Sequence, residues 1–316
     1  MAKTPKQFAI SSKLQENICL LAQSQVFDDA EELLLCTMGI QMSAKQIQRV
    51  SECYGAEIEN KEQALIKREA GLSEPQNEEL TYVMPDGSMI FTREEGWKEI
   101  KVGRVFQHKD IVKIQEDRQQ ITGSLYVCHL GDHKDFLGKM EHYIERYSTK
   151  ICVADGAKWI WNWADDVYPN MIQILDFYHA IEKLCVYASW QYPDEKQRTK
   201  WIVRQKILLL EDKVDKVISA VEKQEPKISE AEKARSNLLS YYKNNRSRMY
   251  YGTYRAKGYL IGSGAIESAH RNVVQQRMKL SGQRWSMQGA QQIVNLRAYK
   301  KSNRWNEVTD LIKQAA

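Results

Sequence analysis

The sequence predicts an α/β protein: a mixed sheet covered by helices, preceded by a helical N-terminal domain and interrupted by an all-helical insertion. Three observations carry this. Helix-start patterns crowd the first 58 residues; from Leu80 the texture changes to short β-branched and aromatic runs; and residues 151–175 read strand, helix, strand, the pattern of a parallel βαβ unit.

In chain order, Ser12 with Gln15, Asp28 with Glu31 and Ser43 with Gln46 have capping-box spacing, and apolar residues such as Leu14, Ile18 and Leu21 follow at helical intervals. Three short helices of this kind build a helix-turn-helix module or a plain bundle or dimerisation element, and no base-reading side chains at known positions decide between the two. Residues 59–79 are polar and charged, contain Pro75, and read as a linker. Leu80 to Phe91, Glu99 to Gln107 and Ser124 to His129 predict an antiparallel meander with turns around Gly87 and Gly96. Phe136 to Tyr147 has helical spacing, Ile151 to Ala154 is a short buried strand, a second helix follows, and Met171 to Leu175 is another buried strand. From about residue 180 to 250 apolar residues including Leu209, Val214, Val217, Ile218 and Val221 recur at helical spacing among Lys and Glu. The predicted boundaries are 1–58, linker 59–79, catalytic part 80–184, insertion 185–255 and closing segment 256–316.

At 316 residues the chain is long enough for about two domains, with ordinary soluble composition: 43% hydrophobic and 28% charged residues. Met1 to Ile10 has no apolar signal-peptide core and no apolar run approaches the ~20 residues of a membrane span, so a cytoplasmic protein is expected, without a membrane partner. Six cysteines without a C-x-x-C pair speak against a zinc ribbon or a disulfide framework and predict buried, reduced thiols. Charge is strongly polarised. From Lys243 to Arg304 there are thirteen Lys and Arg residues and one acid, Glu267; that segment carries +12 and the rest of the chain −7. A surface this basic attracts nucleic-acid phosphates. A carboxylate among phosphates is repelled unless a cation intervenes, which marks Glu267 as a candidate metal ligand.

Ligands of open parallel sheets gather at the carboxyl ends of the strands. Asp155 follows Ile151-Cys-Val-Ala and Asp176 follows Met171-Ile-Gln-Ile-Leu, so both should emerge on one edge; Asp86 lies in or just past the first strand. Asp-Gly after an apolar run is also a common turn signal, and both Asp86-Gly87 and Asp155-Gly156 fit it. Asp86 and Asp155 with a helix-borne Glu267 make a set of hard oxygen donors suited to Mg²⁺. Two ions roughly 3.5 to 4 Å apart would serve an in-line displacement at a phosphodiester, with Mn²⁺ able to substitute.

Around Asp155-Gly-Ala-Lys-Trp-Ile-Trp-Asn162 the sequence resembles the DDE transposases of the ISKra group of bacterial insertion sequences, relatives of the Mutator-like transposases. Leu175-Asp-Phe-Tyr-His-Ala-Ile-Glu-Lys-Leu184 resembles that superfamily's [C/D]-x-x-H signature at Asp176 and His179. Ile261-Gly-Ser-Gly-Ala-Ile-Glu-Ser-Ala269 and Arg284-Trp-Ser-Met-Gln-Gly-Ala-Gln291 resemble the block around its last catalytic acid, and Asp86-Gly-Ser-Met with Gly96-Trp-Lys-Glu-Ile-Lys-Val-Gly-Arg-Val-Phe106 its opening block. The resemblance spans about residues 80–308, more loosely 9–58. It implies a ribonuclease-H-like fold with a helical insertion before the last acid, and a triad of Asp86, Asp155 and Glu267. It also implies Mg²⁺-dependent cleavage and strand transfer of an insertion sequence, DNA as partner, a homo-oligomer at work and a nucleoid-associated place in a bacterium. Paired cysteines found in the N-terminal part of many members are absent from this chain, which leaves recognition of the element's ends unassigned.

Other residues keep two readings each. Trp159, Trp161 and Trp163 either stack on an unpaired base, with Trp159 the candidate, or pack over the sheet; at most one should touch DNA. Asp176 and His179, one turn apart, are a supporting pair at the site or a structural pair. Gly262, Ser263 and Gly264 form either a phosphate cradle or the turn that starts the helix of Glu267. Arg271, Arg277, Lys279 and Arg284 are the candidate phosphate contacts. The rival functions are a non-catalytic DNA-binding derivative of such an enzyme and a ribonuclease or resolvase on the same fold.

Overall fold

The computed structural model describes residues 8–69, 77–115 and 118–315. In chain order the elements are α1 (Ser12–Ala22), α2 (Phe27–Met38), α3 (Ala44–Glu69), β1 (Thr81–Thr92), β2 (Gly96–Gln107), β3 (Ile111–Gln115), β4 (Arg118–Ile121), β5 (Leu125–Leu130) and α4 (His133–Ile144). They continue with β6 (Lys150–Ala154), α5 (Lys158–Val167), β7 (Ile172–Leu175), α6 (Phe177–Gln191), α7 (Glu195–Leu210), α8 (Val214–Glu222), α9 (Ser229–Asn245) and α10 (Tyr251–Ala256). Last come α11 (Gly264–Ala269), a π-helical turn over His270–Gln275, α12 (Gln276–Met278), α13 (Met287–Lys301) and α14 (Trp305–Ala315). The protein is mixed α/β, with antiparallel and parallel pairing both present. It divides into two compact units: Met1–Thr149 with Ala265–Ala316, and Lys150–Gly264. These boundaries differ from the sequence-predicted ones; the N-terminal helices belong with the antiparallel strands, and the βαβ unit belongs with the helices that follow it.

In the first unit β1, β2 and β5 form the predicted meander, antiparallel in the order β1-β2-β5. The turn between β1 and β2 lies at Arg93–Glu95, closed by Gly96 at φ 68°, a left-handed conformation that glycine adopts without strain. The turn expected at Gly87 does not exist. Gly87 is inside β1 opposite Lys101, because the cross-strand ladder overrides the local Asp-Gly preference. A hairpin of β3 and β4 goes beyond the sequence prediction.

Helix boundaries differ from the sequence reading at several ends, and α4, expected over Phe136 to Tyr147, runs His133–Ile144. Ser11, not Ser12, caps α1 by accepting the Leu14 amide. Helix α2 starts at Phe27 after an N-cap Val26 that supplies no capping side chain, so Asp28 lies within the first turn. Helix α3 runs on to Glu69, which makes residues 59–69 helix instead of linker; residues 70–76 of that linker lie outside the described residues. The extension has a cause in packing, since Ile58 is fully buried and the nearly buried Glu62 accepts a hydrogen bond from the Tyr143 hydroxyl of α4 at 2.8 Å. Helices α1 and α2 pack on α3, an arrangement that either of their two readings allows.

The centre of this unit is α13, buried on all sides from Gly289 to Tyr299 between α3 and β5. Gln291 Oε1 accepts the Leu130 amide of β5 at 2.7 Å, Gln291 Nε2 donates to Asn295 Oδ1 at 2.7 Å, and Asn295 Nδ2 donates to the Gly55 carbonyl of α3 at 3.0 Å. At the crossing the two helices meet backbone to backbone: a Cβ on Gly55 would stand 2.2 Å from the Gln292 carbonyl oxygen.

In the second unit β6 and β7 pair in parallel, with Ala154 opposite Leu175. Helices α6 to α9 pack on one another, burying Leu209, Val214, Val217, Ile218, Val221 and Leu238, which realises the predicted helical insertion. All six cysteines are free, but only Cys19, Cys128 and Cys152 are buried; Cys53 and Cys185 are half-buried and Cys36 is exposed, against the expectation of buried thiols. Among the described residues no helix is long and apolar enough to cross a membrane.

The close approach at Gly55 makes a direct expectation. Gly55→Ala forces α3 and α13 apart and should lower stability by about 1–3 kcal/mol, the usual cost of overpacking. Chemical denaturation of the two proteins checks it, and equal midpoints would count against the crossing.

Candidate active site

Asp86 sits mid-strand in β1, opposite Val102. Its Oδ1 accepts the Gly87 amide at 2.7 Å, and its Oδ2 lies 3.1 Å from His270 Nε2. His270 is buried, and neither of its ring nitrogens finds a partner at hydrogen-bonding geometry, so the contact with Asp86 is one of proximity. Glu267 lies one helical turn before His270, exposed on α11. Three contacts fasten this stretch along β1 and β2. Arg104 Nη1 donates to the Ala265 carbonyl at 2.7 Å, His270 meets Asp86, and Lys279 Nζ donates to Ser88 Oγ at 2.6 Å. Arg104 is itself buried, with Nε on Ser124 Oγ at 3.0 Å and its guanidinium 5.5 Å from the ring centres of both Phe106 and Tyr126. Asp86 and the segment bearing Glu267, distant in sequence, thus belong to neighbouring elements of one unit. The π-helical turn that begins at His270 is of a kind concentrated at functional sites.

The other predicted residues lie in the second unit. Asp155 immediately follows β6, and its Oδ1 accepts the Ala157 amide at 2.9 Å; the strand-end and turn readings are both correct there. Asp176 follows β7, and its amide donates to the Ala154 carbonyl at 2.8 Å, so the two acids share the carboxyl edge of the parallel pair as expected. Asp176 is fully buried and caps α6: Oδ1 accepts the Tyr178 and His179 amides at 2.7 and 3.4 Å, and Oδ2 lies 2.8 Å from His179 Nδ1. Burial alone would raise its pKa, but hydrogen bonds from His179, Ser263 and the Tyr178 amide outweigh it and hold the carboxyl below the usual range. The same hydrogen bond raises His179 to about 9 against the opposing effect of burial. Ser263 is engaged with Asp176, and a Cβ on Gly262 would stand 2.5 Å from the Tyr178 ring, so close packing accounts for this Gly-Ser pair.

Of the three tryptophans, Trp161 and Trp163 are buried and Trp159 is half-buried. Trp163 meets Tyr168 edge-on, and the Arg248 guanidinium lies 4.7 Å from the Trp161 ring centre. Arg248 is held in turn by Gln173 Oε1 at 2.6 Å and Asp165 Oδ2 at 3.1 Å. A cavity of about 670 Å³ opens beside them, reaching Gly156 and Tyr241. Burial, with the Asp155 and Asp176 charges, pushes the Tyr241 hydroxyl well above its ordinary pKa. His270, Arg104 and Tyr241 were not singled out from sequence. A buried histidine and arginine leave no spacing signal, and Tyr241 is one of sixteen tyrosines.

The basic segment is less uniform than its composition. Lys243, Arg246, Arg248 and Arg304 are neutralised by Glu222, Asp215, Asp165 and Glu307, all outside that segment. Arg297 is buried with its nitrogens on the Val273, Asn272 and Gln23 carbonyls. Among the four candidate phosphate contacts Arg271, Lys279 and Arg284 are exposed, whereas Arg277 is fully buried and corrects the expectation of a surface contact.

In donor chemistry the three acids fit Mg²⁺, since every ligating atom is a carboxylate oxygen, and the unsatisfied His270 ring marks polar ground beside Asp86. Among the described residues no group of three or more His, Cys, Asp or Glu side chains is gathered for a metal ion; Asp86 and Glu267 belong to the first unit and Asp155 to the second.

No protein-family model matches the chain, and no curated protein matches it. Among solved structures it is similar to the Drosophila P element transposase strand transfer complex, at 9% identity and a TM-score of 0.34, over 97% of this chain and 84% of that one. So slight a likeness carries no weight for fold or activity, which rest on the residues themselves.

The Asp176–His179 pair makes stability depend on pH. His179 titrates near ~6.5 when unfolded and at about 9 when folded, so the bridge contributes fully below about pH 6.5 and is lost as pH rises through about 9. Asp176, held low, stays ionised across that window. His179→Gln should therefore lower Tm by on the order of 2 °C near pH 6 and leave it unchanged near pH 10. Thermal melts at both pH values decide it; a pH-independent difference would sink the assignment.

Proposed function

We propose that the chain is a DDE transposase of an insertion sequence, built on a ribonuclease-H-like scaffold, that cuts DNA strands and joins them to new DNA. The observation that carries this reading is the placement of the acids within motifs that resemble that family. Asp86 lies inside β1 against the segment bearing Glu267, and Asp155 and Asp176 share the carboxyl edge of β6 and β7. The order of elements, an antiparallel meander followed by a parallel βαβ unit and a helical insertion before Glu267, is consistent with it.

In this reading the reaction is hydrolysis of one phosphodiester at the element's end, releasing a 3′-OH, followed by attack of that 3′-OH on a phosphodiester of the target. Asp86, Asp155 and Glu267 would hold two Mg²⁺ ions, which supply an activated nucleophile and stabilise the leaving oxygen. The protein's own groups prepare the ground. The Gly87 amide fixes the direction of the Asp86 carboxylate, and His270 packs beside it. Asp176, by capping α6 and pairing with His179, anchors the edge from which Asp155 projects. Arg271, Lys279 and Arg284, exposed after Glu267, contact backbone phosphates of the DNA, which gives binding its salt dependence. Trp159, the most accessible of its three neighbours, is the candidate for stacking on an unpaired base. The working form is a homo-oligomer in the bacterial nucleoid.

Asp155→Asn and Glu267→Gln should each reduce Mg²⁺-dependent cleavage and strand transfer by roughly 100-fold or more, the scale of losing one charge-stabilising group, while DNA binding persists. Strand-transfer assays on DNA flanked by the element's own inverted repeats test this. Full activity in either variant refutes the assignment of the acids; equal cleavage of branched DNA or RNA hybrids without joining would favour a nuclease or resolvase.

A further inference from the structure

Among the described residues Arg277 is the largest side chain to be completely buried. Its guanidinium lies between two rings, 5.0 Å from the centre of Phe27 and 4.9 Å from that of Trp285. Nε donates to the Ala22 carbonyl at 3.0 Å, but Nη1 and Nη2 are buried with no hydrogen-bond partner. Four N–H donors of a permanent cation are therefore unspent, a costly condition inside a protein. Arg297, nearby in the same unit, shows how this core treats a structural arginine: Nε, Nη1 and Nη2 each take a carbonyl. Burial, with the charge of Arg297, lowers the Arg277 pKa to about 10, and Asp29 opposes that fall.

Arg277 forms part of the wall of a cavity of about 410 Å³ contained in the first unit, its Nη atoms shielded from solvent. Its wall also carries Arg93, Arg284 and the start of α2, whose N-cap Val26 offers no side chain to the free amides there. Helix starts of this kind attract anions. Two acids, Asp28 and Glu52, share the wall, and Glu52 Oε1 is already taken by Gln48 Nε2 at 2.7 Å. Three arginines against two carboxylates leave the lining positive. Phe27 and Trp285 each have a face covered by the Arg277 guanidinium, and Trp285 Nε1 is spent on the Met278 carbonyl at 3.1 Å, so the cavity is better made for an anion than for a stacked base.

We propose that this cavity binds a phosphate group, held by Arg93, Arg284 and the amides that start α2 over the unspent guanidinium charge of Arg277. A guanidinium edge matches two phosphate oxygens, and the space left beyond them admits the attached sugar. None of Asp86, Asp155 and Glu267 lines the cavity, and the site stands whether or not those acids catalyse strand transfer. The phosphate comes either from a DNA strand or from a small phosphorylated molecule.

The full-length protein is titrated with inorganic phosphate, with a deoxynucleoside 5′-monophosphate and with short DNA, following Tm and calorimetric heats. Arg277→Met removes the unspent charge; Arg93→Gln and Arg284→Gln, at exposed positions, decide the question if the first variant does not fold. Since phosphate stabilises proteins unspecifically, the readout is the saturable part of the shift that a variant lacks. Each substitution should weaken that binding roughly 10- to 100-fold. If the loss in Arg277→Met or Arg93→Gln extends to DNA, the ligand is a backbone phosphate; if it is confined to the small anions, the ligand is a free phosphorylated molecule. Absence of saturable binding of any of the three probes to the wild type, or equal affinities in wild type and variants, overturns the site. Neither result bears on the activity of Asp155→Asn, so the two readings fail separately.

Discussion

The first unit depends on a single crossing of two helices that lie far apart in the chain. Helix α13 fills the space between α3 and the outer strand β5, and it does so with amide side chains as well as apolar ones. Gln291 and Asn295 carry a continuous hydrogen-bonded path from the β5 backbone to the Gly55 carbonyl. Such a buried path is stabilising only when every member is satisfied, and here each meets a partner at 2.7–3.0 Å. It also covers a strand edge that would otherwise offer its amides to other chains. The glycine at the crossing is what lets the two backbones come close enough for the path to close.

From that frame the candidate site follows. Once α13 is docked, the residues leading into it must run back along β1 and β2, and Arg104, Asp86 and Ser88 are the points where they are fastened. Glu267 is delivered by the same run of chain. In the second unit a comparable economy appears: Asp176 caps a helix, pairs with His179 and ties its strand end to Ala154, so the position of Asp155 is settled by hydrogen bonds and not by the turn alone.

Much of this was legible in the sequence. Strand-end aspartates, the βαβ unit and the charged helical insertion follow from periodicities that the structure keeps. What sequence could not resolve has physical causes. An Asp-Gly pair signals a turn by local preference, but a long antiparallel ladder holds Asp86-Gly87 extended. The helix after residue 58 persists because tertiary packing takes up its apolar face, which composition alone hides. The stretch from Met287 to Lys301 has no apolar stripe because it is buried on every side, so no moment marks it as core. Net charge misled in a similar way: Glu222, Asp215, Asp165 and Glu307 compensate four bases of the segment, and Arg277 and Arg297 are interior.

The interrupted course of the first unit has a consequence for synthesis. The second unit is contiguous, so its strands and helices can consolidate while the ribosome is still at work. The first unit must wait for its final segment, and until α13 emerges β5 has no cover and α3 has an open apolar flank. Its native contacts span most of the chain, which is a slow kind of closure. The nascent chain is thus most exposed to aggregation until Ala265–Ala316 is made, and that segment acts as the clasp that ends the exposure.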